Sequence, residues 1–250
     1  MQRSTIIVAG GSGKRMGAAM PKQFLLLKGK PLLMWTIEAF HSFDAAMQLI
    51  VVLPQDHHAT WKELCSEHQF TIPHTLVSGG AERFHSALEG LKAVAHEGLV
   101  AVHDGVRPLV SSELIARCFA AADEHGAAIP VVPISSSVRE VSEIGASSAR
   151  PSPSTPRTLR SLRSTPSVLL RESRAVDRSR LRAVQTPQCF RVELLHRAFE
   201  LPFDVAFTDE ATLVERLGVQ IHLVDGEEHN IKVTTPFDLK VAEVVLGTQP

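Results

Sequence analysis

No apolar run in the 250-residue sequence reaches the roughly eighteen residues that a membrane-crossing helix needs, so no segment reads as spanning a bilayer. The opening MQRSTIIVAGG lacks the longer apolar region and small-residue cleavage site of a secretion signal, and is expected to form a first strand. Cysteine is scarce: Cys65, Cys118 and Cys189 are widely spaced, odd in number and without histidines at metal-ligand spacing. That argues against a disulfide framework or a zinc site, and for reduced, partly buried thiols in a cytoplasmic protein. Net charge is only −1, so no global field attracts nucleic acid. Acidic residues are missing altogether before Glu38, whereas Arg3, Lys14, Arg15, Lys22, Lys28 and Lys30 precede it. A neutral chain with one all-basic end offers a small polyanion a pocket rather than offering a polymer a long surface. No Ser-His-Asp or Cys-His set is apparent, so charge and positioning are the chemical resources left.

What is present is alternation. Short β-rich apolar runs at 5–9, 49–53, 75–77, 100–103 and 128–132 are separated by helical patterns at 32–40, 58–68, 82–95 and 113–125. Ser111 or Ser112 is placed to cap the fourth of these helices and Gly126 to stop it. Such alternation predicts an α/β fold: a mostly parallel, twisted sheet with helices on both faces. Ligands of such sheets sit beyond the carboxyl ends of the strands, which here lead into residues 10–13, 79–80 and 104–108. After Pro133 the pattern breaks. Residues 142–173 are rich in Ser, Pro and Arg, a composition that buries no core, and are expected to be a flexible insertion in a β-hairpin. Its arginines have no aromatic residues interleaved, so it does not read as a nucleic-acid surface. Helices at 192–200, 209–217 and 236–246 and a strand at 219–224 complete a single domain with an arm at about 134–180.

The segment IIVAGGSGKRMGAAMPKQF carries the most information. Gly10, Gly11, Ser12 and Gly13 follow a strand, where small residues let backbone N–H groups approach phosphate oxygens. It is not a P-loop, because Lys14 is followed by Arg15 and not by the hydroxyl that binds Mg²⁺. It is not the dinucleotide fingerprint either, because Met16 stands where the third glycine belongs. Arg15 and Lys22 flank a loop that must fold over something, and phosphate is the natural occupant. Further along, Ser78-Gly79-Gly80-Ala81-Glu82-Arg83-Phe84-His85-Ser86 is a glycine turn opening into a helix, able to present donors to a base edge. In His103-Asp104-Gly105-Val106-Arg107-Pro108, Asp104 suits Mg²⁺ or a ribose hydroxyl, with an ion pair to Arg107 as the competing structural role. Val176-Asp177-Arg178, Gln185-Thr186-Pro187-Gln188, Thr208-Asp209-Glu210-Ala211 and Asn230-Ile231-Lys232-Val233-Thr234 are the remaining polar clusters; the third reads equally well as a helix cap.

The run G-G-S-G-K-R-M-G-x-x-x-P-K-Q resembles the signature of the sugar-phosphate nucleotidyltransferases, whose fold is Rossmann-like. Together with the later clusters it is similar to the cytidylyltransferase family of the non-mevalonate isoprenoid pathway, which acts on 2-C-methyl-D-erythritol 4-phosphate. The resemblance covers nearly all of the chain except 142–173. It implies catalytic roles for Arg15 and Lys22, and nucleotide binding by Ala9, Gly10, Gly11, Gly13, Gly80, Ser86 and Asp104, with Asp104 also near Mg²⁺ or another divalent cation. It implies acceptor binding by Arg107, Ser137, Arg178, Thr186 and Lys232, with CTP as donor, and a homodimer formed through the arm. Ala81 stands where relatives can carry an acid, so any contact from that side chain is missing here. A cytidylyltransferase for another polyol phosphate, such as ribitol 5-phosphate, shares most of these motifs, and a non-catalytic nucleotide-binding regulator is the second alternative. Because 142–173 lacks apolar periodicity, deleting residues 146–166 is expected to leave the melting temperature nearly unchanged, and a large drop would show that the segment is packed.

Overall fold

The computed structural model describes residues 1–11, 20–143 and 171–248. Those residues form two compact units, Met1–Val132 with Val184–Pro250, and Pro133–Ala183. In chain order the elements are β1 (Arg3–Val8), β2 (Leu26–Leu27), β3 (Lys30–Pro31), α1 (Leu32–Phe43), β4 (Gln48–Leu53), α2 (His58–Glu67), β5 (Thr75–Ser78), α3 (Arg83–Leu91), β6 (Leu99–Asp104) and α4 (Ser112–His125). They continue with β7 (Ala127–Pro133), β8 (Val138–Glu143), β9 (Arg171–Val176), β10 (Arg182–Val184), β11 (Gln188–Arg191), α5 (Val192–Phe199), α6 (Glu210–Glu215), β12 (His222–Asp225) and α7 (Pro236–Thr248).

In the first unit β7, β11, β6, β1, β4 and β5 are hydrogen-bonded in that order, and β12 joins β7 in parallel. β6, β1, β4 and β5 are parallel to their neighbours within that set, as the alternation predicted. β11 departs from the expectation. The sequence pattern contained no strand at Gln188–Arg191, yet it lies between β6 and β7 and is antiparallel to both. Four residues directly after a proline are too few to show a period of two. The strand is recognisable only by its partners.

Successive residues of the central strands enter two cores, one on each face of the sheet. Ile7, Leu49, Val51 and Ala101 pack with Phe40, Trp61 and Phe119 of α1, α2 and α4. Ile6, Ile50, Val52, Val100 and Val102 pack with Phe84, Leu91, Leu195 and Val214 of α3, α5 and α6. Strands buried on both sides therefore read as nearly continuous Val/Ile/Leu runs. α4 starts and stops where expected: Ser111 Oγ accepts from Leu114 N–H at 3.0 Å, and Gly126 adopts φ +90°. Other boundaries move by a few residues. α3 ends at Leu91 rather than 95, and α6 is cut to Glu210–Glu215 by a turn through Gly218 at φ +74°.

In the second unit β8 and β9 form one antiparallel ladder, from Val138 opposite Val176 to Glu143 opposite Arg171. The ladder takes in residues 142–143 and 171–173, which the composition had assigned to the flexible insertion. Backbone pairing needs no apolar side chains, so a Ser/Arg-rich strand is invisible to that criterion. The rest of the insertion, 144–170, lies outside the described residues.

α3 lies close on the sheet because of one glycine. A Cβ on Gly90 would sit 2.5 Å from Ile6 Cγ2 and 2.9 Å from Val52 Cγ2. Gly90→Val should lower stability by about 2 kcal/mol through overpacking, more than the small gain in helix propensity returns. Equilibrium urea unfolding checks this; an unchanged midpoint would mean that α3 is free to move off the sheet.

Candidate active site

The carboxyl ends of β1, β5 and β6 open into a cleft of about 280 Å³. One wall is Val8, Ala9, Gly10 and Gly11, joined by Lys22 and Gln23; the other is the turn from Gly80 to Arg83 with Ser86. Asp104, Val106 and Lys232 complete it. Three loops that the strand pattern placed on one edge thus meet in one cavity. Gly11 is a steric requirement here, because a Cβ there would sit 2.9 Å from Lys22 Cε. Opposite, Ser86 Oγ accepts from the Gly80 N–H at 3.2 Å and fixes the turn that opens α3.

Asp104 ends β6, is 7% exposed and meets cations on both oxygens. Lys232 Nζ donates to Oδ1 at 3.1 Å and Arg107 Nε to Oδ2 at 3.0 Å, while Arg83 Nε stands 4.0 Å from Oδ1. Burial pushes this carboxyl up, but Lys232, Arg83 and Arg107 outweigh it and hold the group well below the usual carboxylate range. The Asp104–Arg107 pair that the sequence left as the structural alternative is therefore formed. Arg107 is itself 8% exposed and gives a second N–H to the Asn230 carbonyl at 2.8 Å.

Beneath the carboxylate runs a hydrogen-bonded polar chain, in which Asn230 Oδ1 is buried without a hydrogen-bond partner among the described residues. Burial drives His103 down to about 3, so its ring is neutral at physiological pH. His103 Nε2 lies 3.3 Å from the Arg107 carbonyl, which only accepts, so Nε2 carries the proton. Nδ1 then accepts from the Thr186 hydroxyl at 3.0 Å, and Thr186 Oγ1 accepts from the Asp104 N–H at 3.1 Å. Asn230 Nδ2 donates to the Thr186 carbonyl at 2.9 Å, closing the link back to Arg107. His103 thus ties the Asp104 backbone, through Thr186, to the Arg107 carbonyl.

Of the residues expected in the site, Ala9, Gly10, Gly11, Lys22, Gly80, Ser86, Asp104 and Lys232 are brought together at the cleft. Arg107 and Thr186 lie directly behind Asp104. Gly13 and Arg15 fall within 12–19, outside the described residues. Ser137 and Arg178 belong to the second unit, where both are exposed and Arg178 Nη1 donates to the Ser135 carbonyl. Sequence reading assigned no role to Arg83, Gln185 or Asn230, and gave Glu210 only a place in a cluster that reads equally well as a helix cap, the cap that Asp209 forms. Arg83 and Glu210 stood inside quoted motifs, but their pairing spans 127 residues and leaves no local trace. Gln185 bonds the carbonyls of Glu227 at 2.7 Å and Asn230 at 3.3 Å, so the loop that carries Lys232 is pinned to the one that carries Thr186.

A glycine-walled cleft with fixed cations, on the carboxyl edge of a mostly parallel sheet covered on both faces, defines a nucleotide-binding α/β domain of the nucleotidyltransferase type. A family model described as 2-C-methyl-D-erythritol 4-phosphate cytidylyltransferase matches residues 4–151 and 169–248. Proteins of that name from Bacteroides fragilis and Bacteroides thetaiotaomicron are 47% and 45% identical over 98% of this chain and 100% of their own. The crystal structure of the one from Thermus thermophilus aligns with a TM-score of 0.71 at 31% identity, covering 99% of this chain and 100% of that one. The chain belongs to the 2-C-methyl-D-erythritol 4-phosphate cytidylyltransferase family.

The polar chain under Asp104 makes a prediction. Thr186→Val keeps the shape but leaves the Asp104 N–H and His103 Nδ1 buried and unpaired, so stability should fall by about 1–3 kcal/mol. Chemical denaturation measures it, and wild-type stability would mean that water replaces the hydroxyl.

Proposed function

We propose that this chain transfers CMP from CTP to the phosphate of 2-C-methyl-D-erythritol 4-phosphate, releasing pyrophosphate. The observation that carries the reading is the cleft itself: a glycine wall with Lys22 faces the Gly80–Ser86 turn, with Asp104 and Lys232 between them. The family membership supplies the substrates. A phosphate monoester has its second pKa near 6 and is already largely dianionic at neutral pH, so attack on the α-phosphorus needs no general base. Nothing in the cleft has to accept a proton. The barrier is electrostatic, since a dianion approaches a polyanion and charge grows on the leaving pyrophosphate.

Backbone N–H groups of Gly10 and Gly11 and the turn at Gly80 hold the nucleotide, and Ser86 faces the base. Lys22, with Arg15, stabilises the charge that develops at the α-phosphate. Lys232 holds the acceptor phosphate, and Arg107 keeps Asp104 in place from behind. Arg178 and Ser137 serve an acceptor site completed by the second unit of a partner subunit in a homodimer. Among the described residues no three His, Cys, Asp or Glu side chains converge as a metal cage. Both oxygens of Asp104 are already hydrogen-bonded to cations, so a Mg²⁺ would be held chiefly by nucleotide phosphates and water, with Asp104 the buried carboxylate beside it. When bound, it would neutralise phosphate charge.

Two measurements test the reading. The first is pyrophosphate release with CTP and Mg²⁺, comparing kcat/KM for 2-C-methyl-D-erythritol 4-phosphate with that for ribitol 5-phosphate. Preference for the former is expected; preference for ribitol 5-phosphate would move the chain to another acceptor, and no turnover with either would make it a binder. The second is Lys22→Ala, which should lower kcat by about 10²-fold or more with the melting temperature unchanged. Turnover near the wild-type rate would remove Lys22 from the chemistry.

A further inference from the structure

Glu210 is the most deeply buried acid of the described residues near the cleft, 2% exposed, and no step above uses it. It opens α6, where Asp209 supplies the cap by accepting from Thr212 N–H. Its Oε1 meets Arg83 Nη1 at 2.5 Å, and its Oε2 is buried without a hydrogen-bond partner among the described residues. Arg83 opens α3, lines the cleft, and turns its Nε toward Asp104 Oδ1 at 4.0 Å, beyond hydrogen-bond range. One guanidinium thus stands between a carboxylate sealed in the protein and the carboxylate of the site. Folding alone gives a weak reason for this arrangement. Desolvating two charges costs about as much as their attraction returns, and well-packed apolar residues in their place are often as stable. A pair with its acid sealed and its arginine half-buried does fix direction, because the planar fork of arginine held at one nitrogen has little freedom left at the others.

We infer that Arg83 and Glu210 are positioning residues of the transfer reaction: Glu210 clamps Arg83, and Arg83 holds the Asp104 carboxylate in register with the nucleotide cleft. The inference rests on the cytidylyl-transfer reading. Lys232 is 39% exposed at its side chain and is the cation assigned to the acceptor phosphate. When Lys232 turns to the acceptor, Asp104 Oδ1 loses its hydrogen-bonded partner, and Arg83 is the cation already standing beside that oxygen. Arg107 occupies only the other oxygen, Oδ2. Because Lys232 comes from a loop and Arg83 from the first turn of α3, the carboxylate keeps its place through the exchange only if Arg83 is fixed independently. Glu210 provides that anchor from a third element.

The test separates position from stability. The paired replacement Arg83→Met with Glu210→Leu removes both charges and fills their space. It should melt at or above the wild-type temperature, yet kcat/KM for CTP should fall by about ten- to a hundredfold, as a misplacement of about 1 Å in a reacting array does. The second variant, Arg83→Lys, keeps the charge and the ion pair with Glu210, but one ammonium cannot face two carboxylates. It should remain folded and show a loss in the same range. Should the paired replacement fail to fold, Arg83→Lys decides alone. A folded variant of either kind with wild-type kcat/KM for CTP overturns the inference and leaves the pair a structural one. Absence of turnover in the wild-type protein would instead count against the proposed function, so the two failures are distinct.

Discussion

The ionised carboxylate of Asp104 is the interaction on which the rest of the site depends. It sits at the carboxyl end of a central strand, with Arg107, Lys232 and Arg83 converging on it from three separate segments. Each of those cations has its own tether: Arg107 to the Asn230 carbonyl, Arg83 to Glu210, and Lys232 to a loop pinned by Gln185 and Asn230. Without the carboxylate, three cations would face one another across a half-closed cleft, at a cost that grows as the local dielectric falls. With it, one buried anion organises a positive floor that still has charge to offer a polyphosphate.

The sheet explains why that anion lies where it does. Parallel pairing of β6, β1, β4 and β5 brings their carboxyl ends to one edge, and both faces are sealed by helices, so that edge is where loops are free to diverge. The tight approach of α3 through Gly90 brings its first turn, with Arg83 and Ser86, up to the cleft. Close packing in the body and polar convergence at the rim are therefore two ends of the same elements.

Much of this was legible in the sequence, for physical reasons. Strands buried on both faces show as runs of Val, Ile and Leu, and α4 announces itself by Ser111 and Gly126. The glycine wall of the cleft shows as small residues followed by Lys22, and Asp104 by its place after an apolar strand. What escaped notice was long-range. β11 is four residues whose pairing partners lie more than fifty positions away, and the Arg83–Glu210 clamp joins two motifs that looked separate. Arg107 was legible as one of two readings: the resemblance implied acceptor binding, and the competing ion pair with Asp104 is formed, with a second N–H on the Asn230 carbonyl. The hairpin of β8 and β9 was expected, and only its reach into 142–143 and 171–173 escaped, because backbone hydrogen bonds ignore composition.

The account turns on Asp104 being a charged hub, and the most direct measurement is equilibrium unfolding of Asp104→Asn beside wild type at neutral pH. The substitution keeps size and shape while removing the charge that Arg107, Lys232 and Arg83 share. Breaking a buried pair from one side leaves its partner uncompensated, so a loss of about 3 kcal/mol or more is expected. A loss below about 1 kcal/mol would contradict the account, because the charge of this carboxylate would then not be what offsets the three cations.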